Sequence, residues 1–521
     1  MLHLRKTSDD WWINDQTPDN PYGKSEQYES FIDHLGSWPS WLTPEIAAGT
    51  VRINLYELNN HPGYKAAAIG ALEMWASVTP LKFEIIDDAP FDGTTDQIEV
   101  VSPELGEEDD GVAYSNSHHV SIGQGFDKDA NTTDVGGYVF QTFMHEFGHE
   151  FGLDHPGDYN DSGPDGEPIT YRNDATWIYD RWQYSVMSYF DSIDVGGTNR
   201  WFASTPLMAD IEAVIRRHFS TVDANGVRTY KQIDINTEDN IYGFGSTQRS
   251  YQLTPSGKQH DIGFAIHDTG GIDTIDFSGS TAGTILDLRA GHFSSVNGCS
   301  NNVSIFAGHN ADATDYYVEN GIGSSHDDVL IGNDGANILD GRGGADRMAG
   351  KGGDDIYFVD SPDDLIREEA NGGNDTVILL SKNLKIPQIA NVEHIIYADE
   401  LPGNDENILC GGAGEDTLTG GEGQEKFRFS TEFGNGNVDR KDMGLLDSLV
   451  FGSGGRDGAL ALGAFHGSAQ GNAHNADDLI IYISDSGALS YDVGEGAELA
   501  AIQVAQLTPH LRLSAAGFIV I

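Results

Sequence analysis

Gly323-Ser-Ser-His-Asp-Asp328-Val-Leu330-Ile331, Gly332-Asn-Asp-Gly-Ala-Asn337-Ile-Leu339-Asp340, Gly341-Arg-Gly-Gly-Ala-Asp346-Arg-Met348-Ala349 and Gly350-Lys-Gly-Gly-Asp-Asp355-Ile-Tyr357-Phe358 follow one another without a gap. Stacked, they keep a period of nine, with Gly first, Asp or Asn sixth and a large apolar residue eighth. A six-residue turn followed by a three-residue strand with one inward side chain is half a coil of a parallel β-roll. Burying that one side chain contributes about 1.5 to 3 kcal/mol, while ordering nine residues costs about 1 to 2 kcal/mol each. An unassisted roll is therefore short of stabilisation. The sixth-position carboxylates and the carbonyls of the Gly-rich turns offer the oxygen ligands that Ca²⁺ takes. A flexible Gly/Asp linker would share this composition but neither the period nor the apolar eighth position. A looser block runs from Pro402 to Arg428, with Gly411, Asp416 and Leu418 in its clearest repeat and Glu425 at the sixth position of the next. A lone fragment, Gly372 to Val377, lies between the two blocks.

Upstream of the repeats, helical pattern replaces turn pattern, and one segment carries chemistry: His145-Glu146-Phe-Gly-His149-Glu-Phe-Gly152-Leu-Asp-His155. Residues four apart on a helix share a face, so His145 and His149 can hold one ion, with Glu146 beside it and free to take a proton from water. Gly152 lets the chain leave the helix with φ > 0 and swing His155 back as a third ligand. Three imidazoles with an open fourth position suit a catalytic zinc. Downstream, Tyr184-Ser-Val-Met187-Ser-Tyr189-Phe is a second element whose meaning depends on the first.

Around this motif the pattern is strand, helix, strand, an α/β layer. Val51 opens a strand, Tyr64 to Ser77 reads as helix, and Leu81 to Ile86, Gln97 to Val101 and His119 to Ile122 read as strands. Tyr138 to Phe151 and Ala209 to His218 read as helices. These spans predict a multidomain chain: a segment 1–45 that wraps the fold or is removed from it, an α/β catalytic domain 46–222, an all-β parallel β-roll 223–430 with an insertion at 358–401, and a C-terminal β region 431–521.

The 521 residues hold 82 acidic and 29 basic side chains, a formal net charge of −53. Nucleic acid and anionic membrane surfaces are excluded as partners, because both demand concentrated Lys and Arg. The roll does not account for the surplus. Residues 321–428 carry a net −14 and residues 51–220 a net −20, nearly the same charge per residue. Gly, at 64 residues, is about twice its usual share. Cys299 and Cys410 are too few for a disulfide framework and read as free thiols. No apolar stretch follows the basic residues at the N-terminus, so no Sec-type signal is expected, and no apolar run is long enough for a transmembrane helix.

The nonapeptides resemble the GGxGxDxUx repeat of RTX proteins. The resemblance implies several structural Ca²⁺, bound by the first- and third-position carbonyls and the sixth side chain: Gly323, Ser325 and Asp328; Gly332, Asp334 and Asn337; Gly341, Gly343 and Asp346; Gly350, Gly352 and Asp355; and Gly411 with Asp416. The long histidine motif, followed some thirty residues on by Met187, resembles the metzincin Met-turn. Together the chain is similar to serralysin-type secreted zinc metalloproteases. The resemblance implies one catalytic Zn²⁺ on His145, His149 and His155, Glu146 as general base, Tyr189 as retractable ligand and transition-state donor, and Met187 as structural floor. Asp268-Thr-Gly-Gly-Ile-Asp273 resembles the family's first calcium turn, implicating Asp268, Gly270, Gly271 and Asp273, with Glu319 at a neighbouring site. The same likeness implies zymogen activation, proteins or peptides as substrates, an extended substrate pairing with an edge strand at His119 to Ile122, a small proteinaceous inhibitor and a monomer. It also implies type I export from a Gram-negative bacterium, read from the apolar end Phe518-Ile-Val-Ile521. A calcium-scaffold adhesin with a vestigial catalytic region, or another zinc hydrolase, would carry much of the same pattern.

Overall fold

The computed structural model describes residues 24–39, 49–93, 97–101, 113–116, 118–123, 133–159, 167–197, 199–255, 261–306, 308, 318–370, 372–380, 384 and 389–397. Beyond residue 397 it describes Tyr482, Ile483, Ser486, Ala488 and Leu489, and otherwise the backbone of strands alone. The chain forms two compact units. One comprises 1–357, 363–375 and 388–391, the other 358–362, 376–387 and 392–521.

In the first unit, five strands make the sheet that backs the histidine motif: β1 (Val51–Asn54), β2 (Phe83–Ile86), β3 (Gln97–Val101), β4 (Ala113–Asn116) and β5 (His119–Ile122), in the order β2-β1-β3-β5-β4. β1, β2, β3 and β5 are parallel, and β4 runs antiparallel to β5. Apolar residues alternate toward the helices, with Val51, Ile53, Ile98, Val100, Val120 and Ile122 all buried. The parallel strands require a crossover, supplied between β1 and β2 by the helix Pro62–Val78, whose Pro stands in the first turn where no N–H partner is needed. Its Ala67, Ala68 and Ala71 keep it thin against the histidine helix Tyr138–Glu150, and Trp75 donates its indole N–H to the Met144 carbonyl at 3.1 Å. The expected edge strand at His119 to Ile122 is corrected here. β5 lies between β3 and β4, so the outer strand on that side is β4, a short antiparallel return too brief to show a period.

Within the 1–45 segment, the described residues 24–39 include a helix that packs into the core. The helix Tyr28–Leu35 buries Phe31, Ile32 and Leu35, Ser25 pairs with Trp177 as an isolated bridge, and Arg216 grips Glu29 at 2.7 Å.

The repeats wind into two parallel sheets with one coil per eighteen residues. One face holds Ile241–Gly243, Thr274–Asp276, Asn320–Ile322 and Ile338–Asp340, and the other Ile285–Asp287, Val329–Ile331, Arg347–Ala349 and Leu365–Ile366. The eighth-position residues Leu330, Leu339, Met348 and Tyr357 are all fully buried between them. Leu365–Ile366 lies inside the expected insertion, yet it pairs with Arg347 and Met348 at the eighteen-residue offset. The roll therefore continues past Phe358. Val359 replaces the first-position Gly, which hid that turn from the nonapeptide pattern.

In the second unit, Glu406–Gly411, Gln424–Phe429 and Leu446–Phe451 are parallel neighbours, Glu406 facing Gln424 at the same eighteen-residue offset. Phe518–Val520, at the apolar end, is a strand paired with Leu449–Phe451 and Gly458–Ala459. Asp416 lies outside the described residues, and of Gly411 only the backbone is described.

Candidate metal centre

The helix Tyr138–Glu150 brings His145 and His149 to one face, and the chain then turns sharply. Gly152 has φ of +97° and donates to the His149 carbonyl, while Leu153 N–H reaches back to Gly148 at 2.9 Å, closing the helix end. His155 returns to the same point. Its Nε2 lies 3.1 Å from that of His145 and 3.2 Å from that of His149. Each ring's other nitrogen faces a carbonyl: Nδ1 of His145 to Val186 at 2.8 Å, of His149 to Leu153 at 2.8 Å, and of His155 to Tyr159 at 3.1 Å. A carbonyl can only accept, so Nδ1 carries the proton in all three and the Nε2 lone pairs face one another. Three imidazole lone pairs converging on one point repel one another, and a cation between them relieves that repulsion. Tetrahedral ligands at about 2.0 to 2.1 Å from zinc stand about 3.3 Å apart, which these spacings approach. Burial first, and then the neighbouring imidazoles, push His145 well below and His149 down to about 3, keeping them neutral as ligands must be.

Glu146 is buried beside them, and burial followed by Glu150 pushes its carboxyl up to about 8. Met187 is fully buried, with its sulfur so close to Gly148 that a Cβ there would stand 2.6 Å from it, so it floors the site from below. Tyr189 lies over the histidines with its ring 4.8 Å from His155 and 5.7 Å from His145, and is 37% exposed. Trp38, from the N-terminal segment, stands 5.4 Å from the His149 ring.

Several positioning groups have no signature in the sequence. The Val186 carbonyl that orients His145 is held by Asp210, a fully buried acid in the first turn of the helix Met208–His218. Asp210 accepts from Ser185 Oγ at 2.6 Å and from the N–H groups of Val186 and Leu207 at 2.9 Å each. Burial pushes it up to about 7 against those three donors. Asp180 does the same on the other side, accepting from Tyr159 Oη and Ser188 Oγ at 2.7 Å. His34 Nε2 donates to the His155 carbonyl at 3.1 Å, and Asp154 N–H donates to that of Leu35 at 2.7 Å.

Residues 231–444 match the family model described as Peptidase M10 serralysin C terminal. The chain is 41% identical over 207 residues to a serralysin of Photorhabdus luminescens, covering 40% of this chain and 38% of that protein. Over that stretch the chain is similar to serralysins. It is also 34% identical over 231 residues to a serralysin of Proteus mirabilis (44% and 41% of the two chains) and 37% identical over 209 to the metalloprotease AprA of Pseudomonas entomophila (39% of each). The chain thus spans about two fifths of the length of the curated relatives it matches.

In the segment that matches the serralysin model, the sixth-position residues form a ladder. Asp328 N–H donates to Asp346 Oδ1, Asn337 to Asp355, Asp346 to Asp364 and Asp355 to Asp375, at 2.7 to 2.9 Å. Each step spans one coil. Asp364 and Asp375 were missed because one turn lacks its first Gly and the next is two residues longer; the signal was an Asp followed by apolar residues. At Gly323, Gly332, Gly341 and Gly350 an added Cβ would run into the sixth side chain of the same turn. First-position Gly is thus required for space, and the left-handed backbone falls elsewhere, at Arg342, Gly344, Lys351 and Gly353. Ser325 and Asp334 are exposed at the turn tips, with Gly343 and Gly352 partly buried. At the turn Asp268 to Asp273, Asp273 N–H donates to Glu319 at 2.6 Å, Gly270 N–H to Asp268 at 3.0 Å, and Tyr242 Oη to Asp268. Gly271 has φ of +125° and packs against the Glu238 carbonyl. Burial, then neighbouring acids, pushes Asp273 up to about 9; burial is also the main cause at Glu319, raised to about 7, and Asp268, raised to about 6. Cys299 is buried without a disulfide.

Proposed function

We propose that the chain is a secreted zinc endopeptidase of serralysin type whose repeat region is folded and stabilised by Ca²⁺. The observation that carries the reading is the convergence of three imidazole Nε2 atoms beside a buried Glu146. His145, His149 and His155 hold Zn²⁺, which when bound supplies Lewis acidity to a water and to the scissile carbonyl. Glu146 receives the proton of the attacking water and passes it to the leaving amine. Tyr189, exposed above the histidines, donates its phenol to the developing oxyanion. Met187 keeps the helix at its depth, and Asp210 keeps the Val186 carbonyl on His145.

An extended peptide substrate pairs with β4, the outer strand on the site's side, in the β-addition mode. The domain plan is that expected above, with the roll extended through Asp375. Because Phe31, Ile32 and Leu35 are core residues, any activation cleavage falls before Tyr28. Export by a type I apparatus, action outside the cell as a monomer, and control by a small protein inhibitor complete the proposal. No helix among the described residues is long and apolar enough to cross a membrane. The test is casein digestion before and after zinc removal. Activity lost with zinc and restored by adding it back supports the reading; digestion that survives zinc removal overturns it.

A further inference from the structure

The ladder of sixth-position carboxylates reaches its last described rung at Asp355 and Asp375, where the coil is twenty residues long instead of eighteen. A third acid enters at that point. Glu368 stands eighteen residues after Gly350, the place where earlier coils carry a first-position Gly. Oxygens of Asp355, Glu368 and Asp375 lie within 4.8 Å of one another, and all three residues are buried. That is the span of two oxygens on opposite sides of an ion with metal–oxygen distances of about 2.4 Å.

The second observation is Asp355 itself. It is 1% exposed, its Oδ1 accepts from Asn337 N–H, and its Oδ2 has no hydrogen-bond partner. That oxygen lies over Gly350, where any Cβ would overlap it, so the backbone is bare around it. Tyr357 Oη accepts from Gly350 N–H at 2.6 Å and donates to Glu368, which fixes that carboxylate at the cluster. Three buried carboxylates with a bare oxygen among them must be neutralised by protons or by a cation, and the all-oxygen donor set selects Ca²⁺ over softer metals.

We propose that Glu368 completes a Ca²⁺ site with Asp355 and Asp375 at the point where the nonapeptide period breaks. In regular coils a sixth-position carboxylate is followed by a first-position Gly whose backbone leaves room for it. Here the next carboxylate arrives two residues late, and the side chain of Glu368 occupies the place that register vacates. The site ties the irregular turn to the last regular one.

The proposal rests on the roll holding calcium, and the test separates the two. Bound calcium is counted by equilibrium dialysis on the full chain, and thermal melts are titrated with CaCl₂, for the parent, Glu368→Gln and Tyr357→Phe. Glu368→Gln is expected to bind one ion fewer at limiting calcium and to need about tenfold more calcium for half its stabilisation, while melting no lower than the parent without calcium. Tyr357→Phe keeps the carboxylates and is expected to keep the full count. A Glu368→Gln chain with the parent's count and midpoint overturns this site while leaving the roll reading intact, and a parent that binds no calcium overturns both. Loss of one ion in Tyr357→Phe as well means the cluster is a packing unit, and also overturns the site.

Discussion

His145 is legible in the sequence as a metal ligand, but what aims it is not. Its Nδ1 proton goes to the Val186 carbonyl, and that carbonyl is held by Asp210 through the Val186 N–H and Ser185. Backbone acceptors have no sequence signature, and an acid in the first turn of a helix reads as an ordinary cap. Replacing Asp210 by Ala removes the acceptor from two backbone donors, the N–H groups of Val186 and Leu207. Leaving them unsatisfied in a fully buried site costs about 1 to 3 kcal/mol each. Asp210→Ala is expected to unfold at lower urea and to release zinc more readily, read by zinc content after dialysis. Unchanged zinc retention would mean that the carbonyl does not depend on Asp210. The spacing of the three histidines and Gly152 was enough for the donor set because a helix and one turn fix it locally. Asp180, His34 and Trp38 come from segments distant in sequence, which no local pattern joins.

At the scale of elements, the β-roll was readable wherever the period of nine held and lost where it broke, at Val359 and at the longer turn before Asp375. β4 was missed for a different reason: four residues, Ala113-Tyr-Ser-Asn116, are too few to show alternation. Two neighbouring substitutions separate the causes of the turn's composition. Gly341→Ala places a Cβ against the Asp346 carboxylate and is expected to lower the calcium-loaded melting temperature by several degrees. Arg342→Gly relieves a left-handed residue at φ of +61°, worth about 1 to 2 kcal/mol, against about 0.5 to 1 kcal/mol of added unfolded-chain entropy. It is expected to melt no lower than the parent. The reverse order would place the glycine requirement in backbone angle instead of space.

The buried acids around the turn Asp268 to Asp273, proposed above to hold calcium, make a pH prediction. Asp268, Glu319 and Asp273 have folded proton affinities raised to about 6, 7 and 9, all above the unfolded values. Without calcium, the stability associated with their protons is present at acid pH and is lost as pH rises through those values. Calcium-free protein is therefore expected to melt at progressively lower temperature from pH 5 to 9, and the gain on adding calcium to widen. A calcium-free melting temperature that climbs over that range would contradict the assignment.

For the whole molecule, the net charge of −53 is spread over catalytic and repeat regions alike. On the proposed reading, bound cations would offset only part of it, and the remainder would favour an expanded chain until calcium is available. The described core joins the N-terminal helix, the histidine layer and residues as far as Phe306 in one apolar cluster, so the metal centre rests on packing drawn from far along the chain. The family match covers residues 231–444, the repeat side, while the histidines lie before it. The central claim concerns those histidines and Glu146, and the most direct measurement is Glu146→Gln assayed for both zinc content and casein turnover. The account predicts zinc retained at the parent's level with turnover reduced by about 10² to 10⁴. Parent-like turnover in a zinc-loaded Glu146→Gln chain would contradict it.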